Sequence, residues 1–142
     1  MAAITDIADA VVAKLNAASF AQEFTAERHY RPVFDLPEMG TLHVTVVPQG
    51  MALGPAGRGC NQYDYRIDIA VQQKFEDGDT AELDPLMSLV EQIADYFRLQ
   101  RLDGYPAAAW IKTENDPIYA VDHMEQNRVF TSVLTLTFRV MR

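Results

Sequence analysis

A chain of 142 residues with 49% hydrophobic, 10% aromatic and 23% charged side chains has the proportions of one globular domain, which excludes disorder, collagen-like repeats and a disulfide scaffold. Twelve Lys and Arg against 20 Asp and Glu leave a formal charge of −8 at pH 7, a poor balance for wrapping nucleic acid or resting on an anionic membrane. Cys60 is the one cysteine, no apolar run approaches a membrane span, and the opening Met-Ala-Ala-Ile-Thr-Asp lacks the basic and apolar regions of a secretory signal, so the expectation is a protein folded in a reducing cytosol.

Residues 4–17 predict an amphipathic helix: Ile4, Ile7, Ala8, Val11, Val12 and Leu15 fall on one apolar stripe, with Thr5 or Asp6 placed to cap its start. Residues 23–33 then switch to a period of two, with Phe24, Ala26, Arg28 and Tyr30 on one face and Pro32 at the end of an edge strand. After the turn Leu36-Pro37-Glu38-Met39-Gly40, residues 41–47 alternate as a strong strand, with Leu42, Val44 and Val46 one way and His43 and Thr45 the other. Gly50, Gly54, Gly57, Gly59, Pro48 and Pro55 mark residues 48–62 as a loop, long for a link between neighbouring strands. Residues 63–75 resume the alternation through Tyr63, Tyr65, Ile67, Ile69 and Val71.

Glu76-Asp77-Gly78-Asp79 reads as a polar turn, and Asp84-Pro85 as a helix start. Leu86, Leu89, Val90, Ile93, Ala94 and Phe97 form a second apolar stripe, with Arg98 and Arg101 in the last turn and Asp103-Gly104 as the stop. Residues 108–113 predict a short strand, 114–127 a polar connector, and 128–142 a final strand in which Phe130, Leu134, Leu136, Phe138 and Val140 alternate with Thr131, Thr135, Thr137 and Arg139. Two one-sided helices and a sheet with one good apolar face predict an α+β, two-layer domain: a mainly antiparallel sheet of about five strands, two helices packed on one face, and a long hairpin loop. The threonine-rich reverse face would meet water or another subunit.

Little in the chain carries chemistry. His29, His43 and His123 have no Cys, His or Glu at ligand spacing, and the acidic run from Glu76 to Asp84 lacks the pattern of a calcium loop. Gly54-Pro55-Ala56-Gly57-Arg58-Gly59 is glycine-rich but has no following Gly-Lys-Ser/Thr and leads into a strand. Ser19, Ser88 and Ser132 lack a nucleophile elbow. Cys60 has one basic neighbour, Arg58, and no apparent triad. Carboxylate pairs such as Glu114 and Asp116 are expected by chance in so acidic a chain. The expectation is therefore no catalytic residue, no cofactor and no metal. What remains is surface: Met51 and Leu53 are apolar residues that a solvated loop does not need, and Ile118, Tyr119, Val121 and Met124 in the connector must pack somewhere. These point to an assembly subunit, against the competing reading of a merely disordered tip.

The order of elements, with Asp84-Pro85-Leu86 to Gly104-Tyr105-Pro106, then Glu114-Asn115-Asp116-Pro117-Ile118-Tyr119 and Phe130-Thr131-Ser132-Val133-Leu134-Thr135-Leu136, resembles the tail terminator and tail-completion (neck) proteins of long-tailed bacteriophages. The resemblance covers nearly the whole chain and rests on element order, size and phrasing. It implies a virion structural protein at the head–tail interface, not an enzyme, without a cofactor. It also implies a ring, a hexamer in this family, that caps the tail tube, contacts the tube protein and neck or connector proteins, and docks the head. Under that resemblance Met51, Leu53, Arg58, Ile118 and Tyr119 become candidates for the ring or partner interface. Asp77, Asp79, Asp116 and Asp122 become candidates for an acidic lumen through which DNA slides without specific binding. Two alternatives stay open: a head-completion or head–tail adaptor subunit, and a small cytosolic module that binds a ligand or peptide.

Overall fold

The computed structural model describes residues 3–20, 24–29, 42–75, 80–98, 101–102, 104–115 and 129–142. In chain order the elements are α1 (Ala3–Ala17), β1 (Ala26–Arg28), β2 (His43–Gly57), β3 (Cys60–Lys74), α2 (Thr80–Phe97), β4 (Arg101–Leu102), β5 (Tyr105–Glu114) and β6 (Val129–Met141). The strands form one sheet in the order β1-β2-β3-β6-β5-β4. Every pairing is antiparallel except β1 with β2.

Alternation along the strands decides which face meets the helices. Val44 and Val46 pair with Val71 and Ile69, and Ile69, Ile67 and Tyr65 pair with Leu134, Leu136 and Phe138. These residues form one buried cluster with Ile7, Val11 and Leu15 of α1 and Leu89, Ile93 and Phe97 of α2. Both helices therefore pack on the same face of an α+β, two-layer domain, as their apolar stripes predict. α1 touches β1 and β2 near one edge of the sheet and β4 and β5 near the other, so the sheet curls around it. Two contacts seat β1 on α1. The Asn16 amide clamps Ala26, accepting from its N–H at 2.8 Å and donating to its carbonyl at 3.1 Å. Arg28 Nε donates to Asp9 at 2.6 Å.

Several expectations are corrected. The sheet has six strands, because Arg101 and Leu102 pair with Ala109 and Tyr105 as a short edge strand. Arg101 thus belongs to β4 and Arg98 follows the end of α2, so neither occupies its last turn, and Gly104 turns β4 into β5. α2 begins at Thr80, with Pro85 inside it, past the first turn, where proline removes one helical hydrogen bond and crowds the carbonyl four residues before it. The strand expected over 23–33 is confined to Ala26–Arg28 among the described residues. Thr131 and Thr137 on the reverse face are buried together with Thr45 and Gln72, instead of meeting water. The hydroxyls of Thr45 and Thr137 and the amide oxygen of Gln72 have no hydrogen-bond partner among the described residues.

Candidate interface: the hairpin arm and the cleft at its base

The largest correction falls on residues 48–62, expected as a loop. β2 continues to Gly57 and β3 starts at Cys60, so the chain turns through Arg58 and Gly59 alone. Gly59 takes φ 70°, a backbone region that side chains with a Cβ disfavour. Glycine and proline are compatible with this because β2 becomes the outer strand of the sheet beyond β1. The His29 N–H donates to the Val46 carbonyl at 2.9 Å, so alternation turns Pro48 to the same outer edge, where a missing N–H breaks no ladder bond. A register shift between Pro48 and Gly50, and another between Pro55 and Gly57, bend the strand. β6 supports β3 almost to the tip, from Gln62 paired with Met141 to the mutual backbone hydrogen bonds of Asn61 and Arg142 at 2.7 and 2.9 Å. The result is a β-arm that extends past the end of the helix layer.

The arm's two faces differ in chemistry. On the helix side Met51 pairs across with Tyr65 and Leu53 with Tyr63. Met51 and Leu53 are 56% and 57% exposed, so no helix among the described residues covers them. The Tyr63 and Tyr65 rings stack at 6.0 Å and 7°. The Arg142 guanidinium lies over Tyr63, 4.3 Å from its ring centre, and donates to the Tyr65 hydroxyl at 3.3 Å. Below them a cleft of about 360 Å3 opens between Ile4 and Asp6 of α1, Met51, Tyr63 and Tyr65 of the arm, Tyr105 of β5, and Arg142. The reverse side of the arm is polar. Arg139 grips Asp64 through two hydrogen bonds of 2.8 and 3.1 Å, and this pairing holds the Asp64 carboxyl below its ordinary range and raises the Arg139 guanidinium. Further along β3, burial pushes the Asp68 carboxyl up, against the hydrogen bond that Thr135 donates to it at 2.8 Å. The Arg66 guanidinium lies across Gly50, 2.8 Å from where a Cβ would sit.

Of the interface candidates, Met51, Leu53 and Arg58 come together on the arm, with Arg58 exposed at its turn. Ile118, Tyr119, Asp77, Asp79, Asp116 and Asp122 lie outside the described residues. Cys60 opens β3, with its Sγ 3.9 Å from the Asn61 carbonyl. Glu114 pairs with Lys112 at 2.9 Å, and Asn115 donates to Ser132 Oγ and to the Val133 carbonyl, tying β5 to β6. Sequence reasoning missed the tyrosine cleft, since its walls come from four separate elements. The Tyr63 and Tyr65 alternation was its only local signal. Among the described residues no three His, Cys, Asp or Glu side chains converge as metal ligands, and no helix is long and apolar enough to cross a membrane.

No protein-family model matches the chain, and no curated protein matches it. Among solved structures it is similar to the PVC sheath/tube terminator, in its extended state, of an extracellular contractile injection system. The identity is 14% and the TM-score 0.49, over 100% of this chain and 57% of that one.

Proposed function

We propose that this chain is a tail terminator: a subunit of a hexameric ring that caps the tail tube of a long-tailed phage or phage-like particle, stops its growth and docks the head. The reading is structural, not enzymatic, and places the protein in the virion tail after synthesis in the bacterial cytoplasm. The observation that carries it is the β-arm, which holds Met51 and Leu53 out beyond the helix layer, where a neighbouring subunit or the tube protein can cover them. Ile118 and Tyr119 are proposed to extend that contact. Asp77, Asp79, Asp116 and Asp122 are proposed to line the lumen, where carboxylates repel the phosphates of passing DNA. A ring also covers open sheet edges, which otherwise invite aggregation.

The test is light scattering after size exclusion, followed by negative-stain microscopy of the main peak, alone and with tail tubes. A ring of hexameric symmetry that sits on tube ends supports the proposal. A ring of another order moves the chain to a head-completion or head–tail adaptor role. A monomer that ignores tubes favours the small binding module, for which the tyrosine cleft is the specific observation.

A further inference from the structure

The arm's outer edge is a poor site for strand addition, because Pro48 and Pro55 each remove a donor from the edge and leave only the short stretch between them. Its apolar face is a better contact surface, and charge says what that surface fits. From His43 to Tyr63 the chain carries no Asp or Glu, although it carries 20 of them overall, and Arg58 stands at the tip with no ion pair among the described residues. α2 has the opposite character. It contains no Lys or Arg from Thr80 to Phe97. Asp84, Ser88, Glu91 and Asp95 are all exposed, and their spacing places them on one outward stripe. Those three carboxylates make no ion pair among the described residues. Exposed Pro85 lies at one side of the stripe, and half-buried Met87, packed against the core, lies at the other.

A single copy cannot bring these surfaces together. β2 is 15 residues long, about 50 Å at ~3.3 Å per residue, and it runs away from α2. α1 reports the same polarity: Ile4 and Asp6 line the cleft at the arm's base, whereas the carbonyl of Lys14, near the other end, accepts from Tyr96 of α2 at 3.4 Å. We infer that the arm docks on the outward acidic stripe of α2 in a second copy of this chain, with Arg58 against the carboxylates of Asp84, Glu91 and Asp95 and with Leu53 and Met51 beside the exposed Pro85. The contact is head-to-tail, so repetition gives a closed ring or a filament. The inference names the receiving surface for the arm and rests on the assembly-subunit reading above.

Cys60 permits a direct test on the full chain, because it is the one cysteine and sits beside the tip. A benzophenone maleimide on Cys60 is irradiated and the products are mapped by mass spectrometry. Links between copies that fall within residues 80–97 support the docking. Links between copies confined to other elements, or no links between copies, overturn it. Charge reversal tests the same contact without a label. Arg58→Glu and Glu91→Arg should each weaken self-association about fivefold, and the two together should recover most of it. Single variants that associate like the parent, or a double variant weaker than either single, overturn the inference. The two proposals fail separately: rings with links elsewhere leave the terminator reading standing, and links into α2 in filaments or dimers leave the docking standing without the ring.

Discussion

Asp64 and Asp68 share one face of β3 yet answer pH in opposite directions. Arg139 holds Asp64 ionised through a two-point hydrogen bond. Its contribution to stability is therefore present above the ordinary carboxylate value of 3.8 and is lost as pH falls below it. Burial raises Asp68, so the folded chain holds that proton more tightly than the unfolded chain. Its contribution is present below 3.8 and is lost as pH rises through the interval above. Asp64→Asn should lower the urea midpoint at pH 7, by up to about 1 kcal/mol for a pair this open to solvent, and the difference should shrink as the pH falls below 3.8. Asp68→Asn should raise the midpoint at pH 7, since Thr135 can still donate to the amide oxygen while the buried charge is gone. That gain should shrink as the pH approaches 4. Urea titrations of the three proteins across this range decide the matter, and a loss of stability in Asp68→Asn at pH 7 would show that burial does not set its behaviour.

Small contacts at the ends of elements tie α1 to both edges of the sheet. Asn16 satisfies both the donor and the acceptor of Ala26, a buried residue at the start of β1. Asn16→Ala should cost about 1–2 kcal/mol in thermal or urea unfolding, because it strands two backbone groups. At the other edge a Cβ on Gly104 would meet the Ala10 Cβ at 3.1 Å and its Cα at 3.5 Å. These atoms belong to a helix and yield little, so Gly104→Ala should cost about 1 kcal/mol or more, read by the same unfolding curves. Elements of this kind were legible where one periodicity ran unbroken. The 4–17 expectation became Ala3–Ala17, and the 128–142 expectation became Val129–Met141. Legibility failed where a local signal had two meanings. Asp84-Pro85 is a helix start in isolation, but the helix begins a turn earlier, at Thr80, with Leu83 packed toward the core and Pro85 carried inside it. The glycines and prolines of 48–57 read as a loop because they punctuate most strands, whereas the outermost strand of a sheet accommodates both. The cleft was illegible for another reason: residues at 4, 6, 51, 63, 65, 105 and 142 share no window of sequence.

At the scale of the molecule, the sheet is longer than the helix layer that covers it. α1 has 15 residues and rises about 1.5 Å per residue, whereas β2 has as many residues and rises more than twice as far for each. A two-layer domain built from elements of equal residue count must therefore leave one end of the sheet bare, and here that end is the arm with Met51 and Leu53 on its open face. The arm is nevertheless held as a ribbon, because β6 backs β3 up to Asn61. Proteolysis should report both properties. The Arg58-Gly59 bond lies at an exposed two-residue turn, a preferred site for nicking, so trypsin should cut it in the free chain. The nicked halves should still co-elute on a sizing column, since the ladders of β2 with β3 and β3 with β6 hold them without the turn. If, as proposed, a partner covers the tip in an assembled particle, the same bond should resist cleavage there at trypsin levels that nick the free chain. Equal cleavage rates in the two states would remove the arm from the assembly interface. Separation of the halves after nicking would show that the turn, and not the ladder, holds the ribbon together.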